Sequence, residues 1–230
     1  MQDANSVKNS LKFIMKKLPV LFFSFFMMIA LLSCGQQVKK LNQNKPQKDL
    51  AKYSQATFAS GCFWCVEAVF ESVKGVEEAV SGYSGGKEPN PTYESVSAHT
   101  TAHAETIQVY YDSSVVSYAT LLKVYFASQD PTQVNGQGPD HGASYRSIIF
   151  YGTPAEKMQA EQYIAEIQKK FSKPIAAQLV PFEKFWLAED YHQDYVKHNP
   201  GVPYVRMESI PRIRRFQKQH PELLKPDSKL

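Results

Sequence analysis

The chain has 230 residues, is 43% hydrophobic and 21% charged, and carries a net charge of +4. That is enough to bury one core with a small appendage at most, so a single domain is expected. Four lysines against Asp3 put +3 on the first 33 residues and leave about +1 for the rest, which excludes a nucleic-acid footprint despite the basic balance.

Met15 to Gln37 reads MKKLPVLFFSFFMMIALLSCGQQ: a basic start, an apolar stretch from Leu18 to Leu32, and small residues before Cys34. This is the pattern of an export signal, and the stretch is shorter than the roughly 20 residues a bilayer-spanning helix requires. LLSC resembles the bacterial lipobox, in which the signal is cut before a cysteine that is then acylated. Residues 1–33 are expected to be a signal peptide, with translation starting at Met1 or Met15, and Cys34 to be the lipid-modified first residue. Residues 34–52, rich in Gln, Asn and Lys, read as a solvated tether. The expectation is an exported, membrane-anchored lipoprotein facing periplasm or cell exterior.

Tyr53–Ser60 is short and partly alternating, as a strand is, and Gly61 breaks it. In CFWCVEAVFESV, Phe63, Val66, Phe70 and Val73 recur at spacings of three and four, which predicts a helix with Cys62 and Cys65 on its first turn. Gly75–Gly86 reads as a strand entering a glycine-rich loop, and Ala104–Asp112 alternates with Ile107, Val109 and Tyr111 on one face. Ser117 caps an amphipathic helix, Tyr145–Gly152 reads as a strand, and Pro154 opens a helix to about Phe171. Strand, helix, strand, strand, helix, strand is the split βαβ order of ferredoxin-like domains. The fold class expected is therefore α+β, a two-layer sandwich extended by a C-terminal helix, the strand AAQLVPF and an irregular tail. The folded domain is placed at 53–215 and a polar tail at 216–230, with RIRRFQK read as a solvated helix face.

The thiol pair of GCFWC bears four readings. A helix start offers free N–H groups and the positive end of the backbone dipole, which lower a thiol's pKa, so Cys62, nearest that end, should be the attacking sulfur. The plainest alternative is a pair of small buried hydrophobes. Zinc would require four ligands, with only His99 and His103 in prospect, and no metal is expected. A thioredoxin-like oxidoreductase also places Cys-x-x-Cys at a helix start, but exchange with protein disulfides gives no evident use for the bulky pair Phe63 and Trp64.

GCFWCVE is followed in order by GYSGG, NPTYESV, HAE, DPTQVNGQGPDHGASYRS and AEDYHQDY, over Gly61 to Tyr195. Together these resemble the peptide-methionine (S)-S-oxide reductase family, the methionine sulfoxide reductases of the A type. The resemblance implies reduction of S-epimer methionine sulfoxide, in proteins or free, with Cys62 as nucleophile and Phe63 and Trp64 holding the substrate methyl group. It implies that Glu105 is the acid, and that Tyr93, Asp140 and Tyr145 form the polar set around the sulfoxide oxygen. It also implies a second thiol to resolve the sulfenic acid on Cys62 and a thioredoxin-like protein as electron donor, with no bound cofactor. Many relatives resolve with C-terminal cysteines; this chain has none after Cys65, which therefore takes that part here. A neutral Glu105 beside an ionised Cys62 requires the pair to titrate as a unit. His99, His103, His192 and His198 are expected to be structural, and the protein to be a monomer.

Overall fold

The computed structural model describes residues 49–228, so the expected signal peptide, Cys34 and most of the tether lie outside the described residues. Among the described residues no helix is long and apolar enough to cross a membrane. The chain builds β1 (Ser54–Ala59), α1 (Phe63–Glu71), β2 (Val76–Ser84), a short α2 (Tyr93–Ser97), β3 (Ala104–Tyr111) and α3 (Tyr118–Ala127). A two-residue-strand hairpin, β4 (Gly136–Gln137) and β5 (Asp140–His141), then leads through a 3-10 turn at Ala143–Tyr145 into β6 (Ile148–Tyr151). After these come α4 (Pro154–Gln168), β7 (Gln178–Pro181), β8 (Trp186–Leu187), the short α5 (Tyr195–His198), a π-helical turn at Val205–Ser209 and α6 (Ile210–Gln219).

The main sheet runs β7-β6-β1-β3-β2-β8. Its centre, β6-β1-β3-β2, is all antiparallel and is the sheet a split βαβ pair produces, while β7 adds to β6 in parallel. The α+β sandwich expected from the order of elements is the fold observed.

Alternation decides which face each strand buries. Phe58 on β1 and Ile107 and Val109 on β3 are fully buried in the main core beneath the helices. There Phe58 lies 5.3 Å from the rings of Phe70 on α1 and Tyr125 on α3. The opposite parity, Ala59, Ala104, Ile148 and Phe150, forms a smaller cluster on the other face, covered by Val180 and Phe182. All four positions predicted to form the apolar stripe of α1 are buried. Helix starts follow their caps. Ser117 Oγ accepts from the Thr120 N–H, and Thr153 and Glu156 form a reciprocal capping box on either side of Pro154.

Two expectations change at the C-terminus. The basic run is not a solvated face: Arg212, Ile213, Phe216 and Gln217 are buried in the stripe that α6 turns toward the domain. Arginine reads as surface in a sequence, but this guanidinium is satisfied by backbone carbonyls, donating from Nε to Ser128 O at 2.6 Å and from Nη2 to Ser60 O at 3.0 Å. Nor is 216–230 only a polar tail. Phe216 and Leu224 are buried, and Leu224 bridges Val73 while the Lys225 N–H donates to Ser72 O at 2.9 Å.

Candidate active site

Gly61 makes the site possible. The chain must turn from β1 into α1 with φ at +75°, and a Cβ here would lie 2.4 Å from Gln137 Cβ, so neither the turn nor the close approach admits a side chain. The turn leaves Cys62 at the N-cap of α1 and Cys65 on its first turn, both buried as free thiols. Cys62 O accepts from the Cys65 N–H at 3.2 Å, which closes that turn.

Helix capping at Cys62 comes from elsewhere in the fold. The Phe63 N–H donates to Glu105 Oε2 at 3.0 Å, so the first amide of α1, which has no partner within the helix, points at a carboxyl on β3. Glu105 shares the parity of Ile107 and Val109 and sits on the same core-facing side at the strand's start, where it is 2% exposed. Burial lifts its pKa from the ordinary carboxyl value to about 8, against the opposing Phe63 amide and helped by the charges of Asp140 and Cys65. At neutral pH it is mainly a carboxylic acid.

The thiols divide unequally, and not as the helix-end argument alone predicts. Burial pushes Cys62 well up, and its contacts with Cys65 and the charge of Glu105 push it further. Cys65 moves down: the hydrogen bond from Cys62 contributes most, and Arg212 and Ser209 Oγ, 3.1 Å from Cys65 Sγ, add to it against the cost of burial. The two thiols titrate together, and the balance of causes favours the charge on Cys65 over Cys62. The reason is local: the helix-end amide is occupied by Glu105, whereas the buried cation faces Cys65.

Aromatic rings wall the mouth. Phe63 and Trp64 lie 6.2 Å apart, and Tyr93 stacks on Phe63 at 6.5 Å. Trp64 is fixed on three sides. Tyr195 stacks on it at 3.8 Å and 9°, Tyr204 meets it edge-on at 5.9 Å, and its Nε1–H donates to His192 Nδ1 at 2.9 Å. His192, driven down to about 4 by burial, is neutral and serves as the acceptor that sets the indole plane.

Tyr93, Asp140 and Tyr145 come to the same place from three segments. Tyr93 enters on the first turn of α2, where its N–H donates to Glu189 Oε1 at 2.9 Å, and burial and the charge of Glu105 hold its hydroxyl up at about 12. Tyr145 closes the loop after β5; burial and then Glu105 raise its pKa well above the phenol range. Asp140 Oδ2 accepts from Tyr204 OH at 2.6 Å. The eight candidate residues Cys62, Phe63, Trp64, Cys65, Tyr93, Glu105, Asp140 and Tyr145 are thus gathered around one end of α1.

Several contributors escaped the sequence reading. Glu189 accepts from both Tyr83 OH and the Tyr93 N–H, each at 2.9 Å, and so ties β2 to α2. Glu67 Oε2 accepts from Ser81 Oγ, which ties α1 to β2. Tyr204 and Ser209 come from a segment outside the sequence reading, and Arg212 from the run read as a solvated helix face. His103 is structural as expected: its Nδ1 accepts from the Gly86 N–H at 3.2 Å, and Nε2 lies 2.8 Å from Glu88 O.

A buried pair of thiols at a helix start, with a protonated carboxyl on the first amide and an aromatic mouth, is the site of a thiol-dependent oxidoreductase. The family profile described as peptide methionine sulfoxide reductase matches residues 54–224. The peptide methionine sulfoxide reductase MsrA of Saccharolobus solfataricus is 46% identical over 170 residues, covering 74% of this chain and 96% of that one. The MsrA 2 of Synechocystis is 47% identical over 177 residues, 76% of this chain and 83% of that one. Among solved structures, reduced Mxr1 from Saccharomyces cerevisiae superimposes with a TM-score of 0.63 at 32% identity, covering 69% of this chain and 92% of that chain. The chain belongs to the peptide methionine sulfoxide reductase family and is an enzyme of that kind.

Proposed function

We propose that the protein reduces the S epimer of methionine sulfoxide, free or within proteins, by a two-thiol cycle. The observation that carries this reading is the Phe63 amide to Glu105 hydrogen bond, which places a carboxyl kept protonated by burial beside the Cys62 sulfur. Cys62 passes its proton to Cys65 and attacks the sulfoxide sulfur as the thiolate; negative charge builds on the oxygen, Glu105 gives it a proton, and the Tyr93 and Tyr145 hydroxyls donate hydrogen bonds to it. Asp140, which accepts from Tyr204 OH at 2.6 Å, is the third member of this polar set. Phe63 and Trp64 receive the apolar methyl group, which a sulfoxide carries opposite its polar oxygen.

Cys62 leaves this step as a sulfenic acid while the substrate leaves as the thioether. Cys65 then attacks Cys62, water departs, and a thioredoxin-like protein reduces the resulting disulfide. Cys65→Ser is expected to release one equivalent of methionine rapidly and then stop when thioredoxin is the reductant. Quenched-flow release from an epimer-resolved sulfoxide substrate measures this; continued turnover at the parental rate would remove Cys65 from the cycle.

The same reading places the enzyme on a membrane through acylated Cys34, where it repairs oxidised exported proteins. Its support is the basic, apolar, LLSC-terminated leader. Intact mass of the native N-terminus is expected to give a diacylglyceryl-modified Cys34; an unmodified chain still carrying residues 15–33 would refute the anchor.

A further inference from the structure

Arg212 is a cation with an unusual setting. It is 8% exposed, and its contacts are neutral oxygens: Ser128 O, Ser60 O and Ser60 Oγ, the last at 3.2 Å. Among the described residues no carboxylate comes within ion-pairing distance of it, although Asp140 attracts it from farther off. Carbonyls and hydroxyls satisfy its donors but not its charge, and a guanidinium does not deprotonate in a protein. A buried cation lacking a close counterion is costly, and that cost falls if a neighbouring acid ionises.

The neighbours able to do so line one small cavity of about 60 Å³ behind α1: Cys65, Asp140, Tyr204 and Glu208, together with Arg212 and Arg215. Asp140 is one of them: the Tyr204 hydroxyl at 2.6 Å and the charge of Arg212 both favour its carboxylate, so it and Cys65 compete for the same cation. Glu208 is half-buried and Arg215 exposed, so both are partly served by water. Cys65 is buried, its sulfur 3.1 Å from Ser209 Oγ, with Cys62 beside it one helical turn back. Ser209 and Arg212 are three residues apart and face the same way, so α6 brings a hydroxyl and a cation to Cys65 together.

We propose that Arg212 is a positioning residue for the redox cycle, the buried countercharge that seats the negative charge of the thiol pair on Cys65. The use of that charge rests on the reductase reading. In the resolving step the Cys65 thiolate forms the S–S bond, the Cys62 S–O bond breaks, and the oxygen leaves as water with one added proton. The two electrons lost by the thiols are those gained by the sulfoxide. Arg212 supplies charge and no electrons. It also gives Cys65 its ionised form before each attack, where an uncharged thiol would be a poor nucleophile.

The charge can be read without catalysis. In the full chain carrying Cys62→Ser, whose hydroxyl keeps a donor beside Cys65, the rate of iodoacetamide labelling is followed by mass at the Cys65 peptide across pH. The expected midpoint is below about 7, against about 8.5 for a free thiol. Adding Arg212→Gln is expected to raise it by about one unit or more, and Arg212→Lys to return most of the shift, with near-UV circular dichroism confirming the fold. Ser209→Ala, which leaves the cation in place, is expected to keep the midpoint below that of a free thiol. The proposal is overturned by an ordinary midpoint in the Cys62→Ser chain, by no movement in Arg212→Gln, or by Ser209→Ala alone restoring the free-thiol value. The last outcome would assign the charge to the hydroxyl and decides the matter even if Arg212→Gln does not fold. Loss of the reductase reading would instead appear as absence of methionine formation by the parent chain, a different measurement.

Discussion

Cys62→Ser is expected to release no methionine from an S-configured sulfoxide peptide, not even the single equivalent that Cys65→Ser yields. A weaker nucleophile is only part of the reason. Reducing a sulfoxide takes two electrons, and Cys62 supplies them by becoming a sulfenic acid; a serine hydroxyl has no corresponding oxidised form. The loss should therefore reach the assay floor, at least about 10³-fold, and supplying more reductant should restore nothing. The fold should survive, because the substitution replaces one small buried atom by another at an N-cap position, where serine is favoured. Amino-acid analysis of the product after one hour with excess enzyme is the measurement. One equivalent of methionine from Cys62→Ser would move the nucleophile to Cys65, the only other thiol among the described residues.

That alternative is a real one, because burial and Glu105 disfavour a charge on Cys62 while Arg212 and Ser209 favour one on Cys65. A helix-end argument considers only α1 and so favours Cys62. Once β3 folds alongside, its Glu105 takes the Phe63 amide, and α6, more than 140 residues away in sequence, brings Arg212 and Ser209 to Cys65. The first contact was within reach of the sequence: alternation at 105, 107, 109 and 111 aims Glu105 at the same core as its apolar neighbours. The second was not. Arg212 lies in a run of cations, and nothing in RIRRFQK separates the arginine that is buried from Arg214 and Arg215, which are exposed. Its stripe shows only when Ser209, Ile213 and Phe216 are seen to pack.

The same distinction holds for the rings. Phe63, Val66, Phe70 and Val73 recur at helical spacing, and the core they form was legible. The cage around Trp64 draws on Tyr195, Tyr204 and His192, from short α5, the cap of a π-helical turn and a 3-10 turn at Asp190–His192. Elements of three to five residues carry too little periodicity to be read from a sequence, and their order here comes from tertiary hydrogen bonds such as Tyr204 to Asp140. His192 shows the limit of reading residue types singly. Burial keeps it neutral, so it is structural as expected, yet its Nδ1 is what orients the indole at the mouth of the site.

Glu105→Gln separates proton donation from structure. Gln offers an oxygen that can still accept the Phe63 N–H, but it has no proton of useful acidity to give, so kcat/KM should fall by about 10²–10⁴-fold while the cap of α1 persists. The parent should also show an alkaline limb. Its acid acts only when protonated, and with a pKa held at about 8 by burial the rate should decline as pH rises through that value; the residual rate of Glu105→Gln should lack this limb. Stability carries the same sign. Above the ordinary carboxyl value of 4.5 the unfolded chain releases a proton that buried Glu105 retains, so the folded state loses stability from there until Glu105 ionises at about 8. The slope is at most about 1.4 kcal/mol per pH unit for one group. Glu67, raised by burial to about 8, and Glu71, raised to about 7, contribute in the same direction. Glu105→Gln should therefore reduce, not abolish, the drop in melting temperature between pH 6 and pH 9. A variant that keeps the parental alkaline limb would assign that ionisation to another group and remove Glu105 as the proton source.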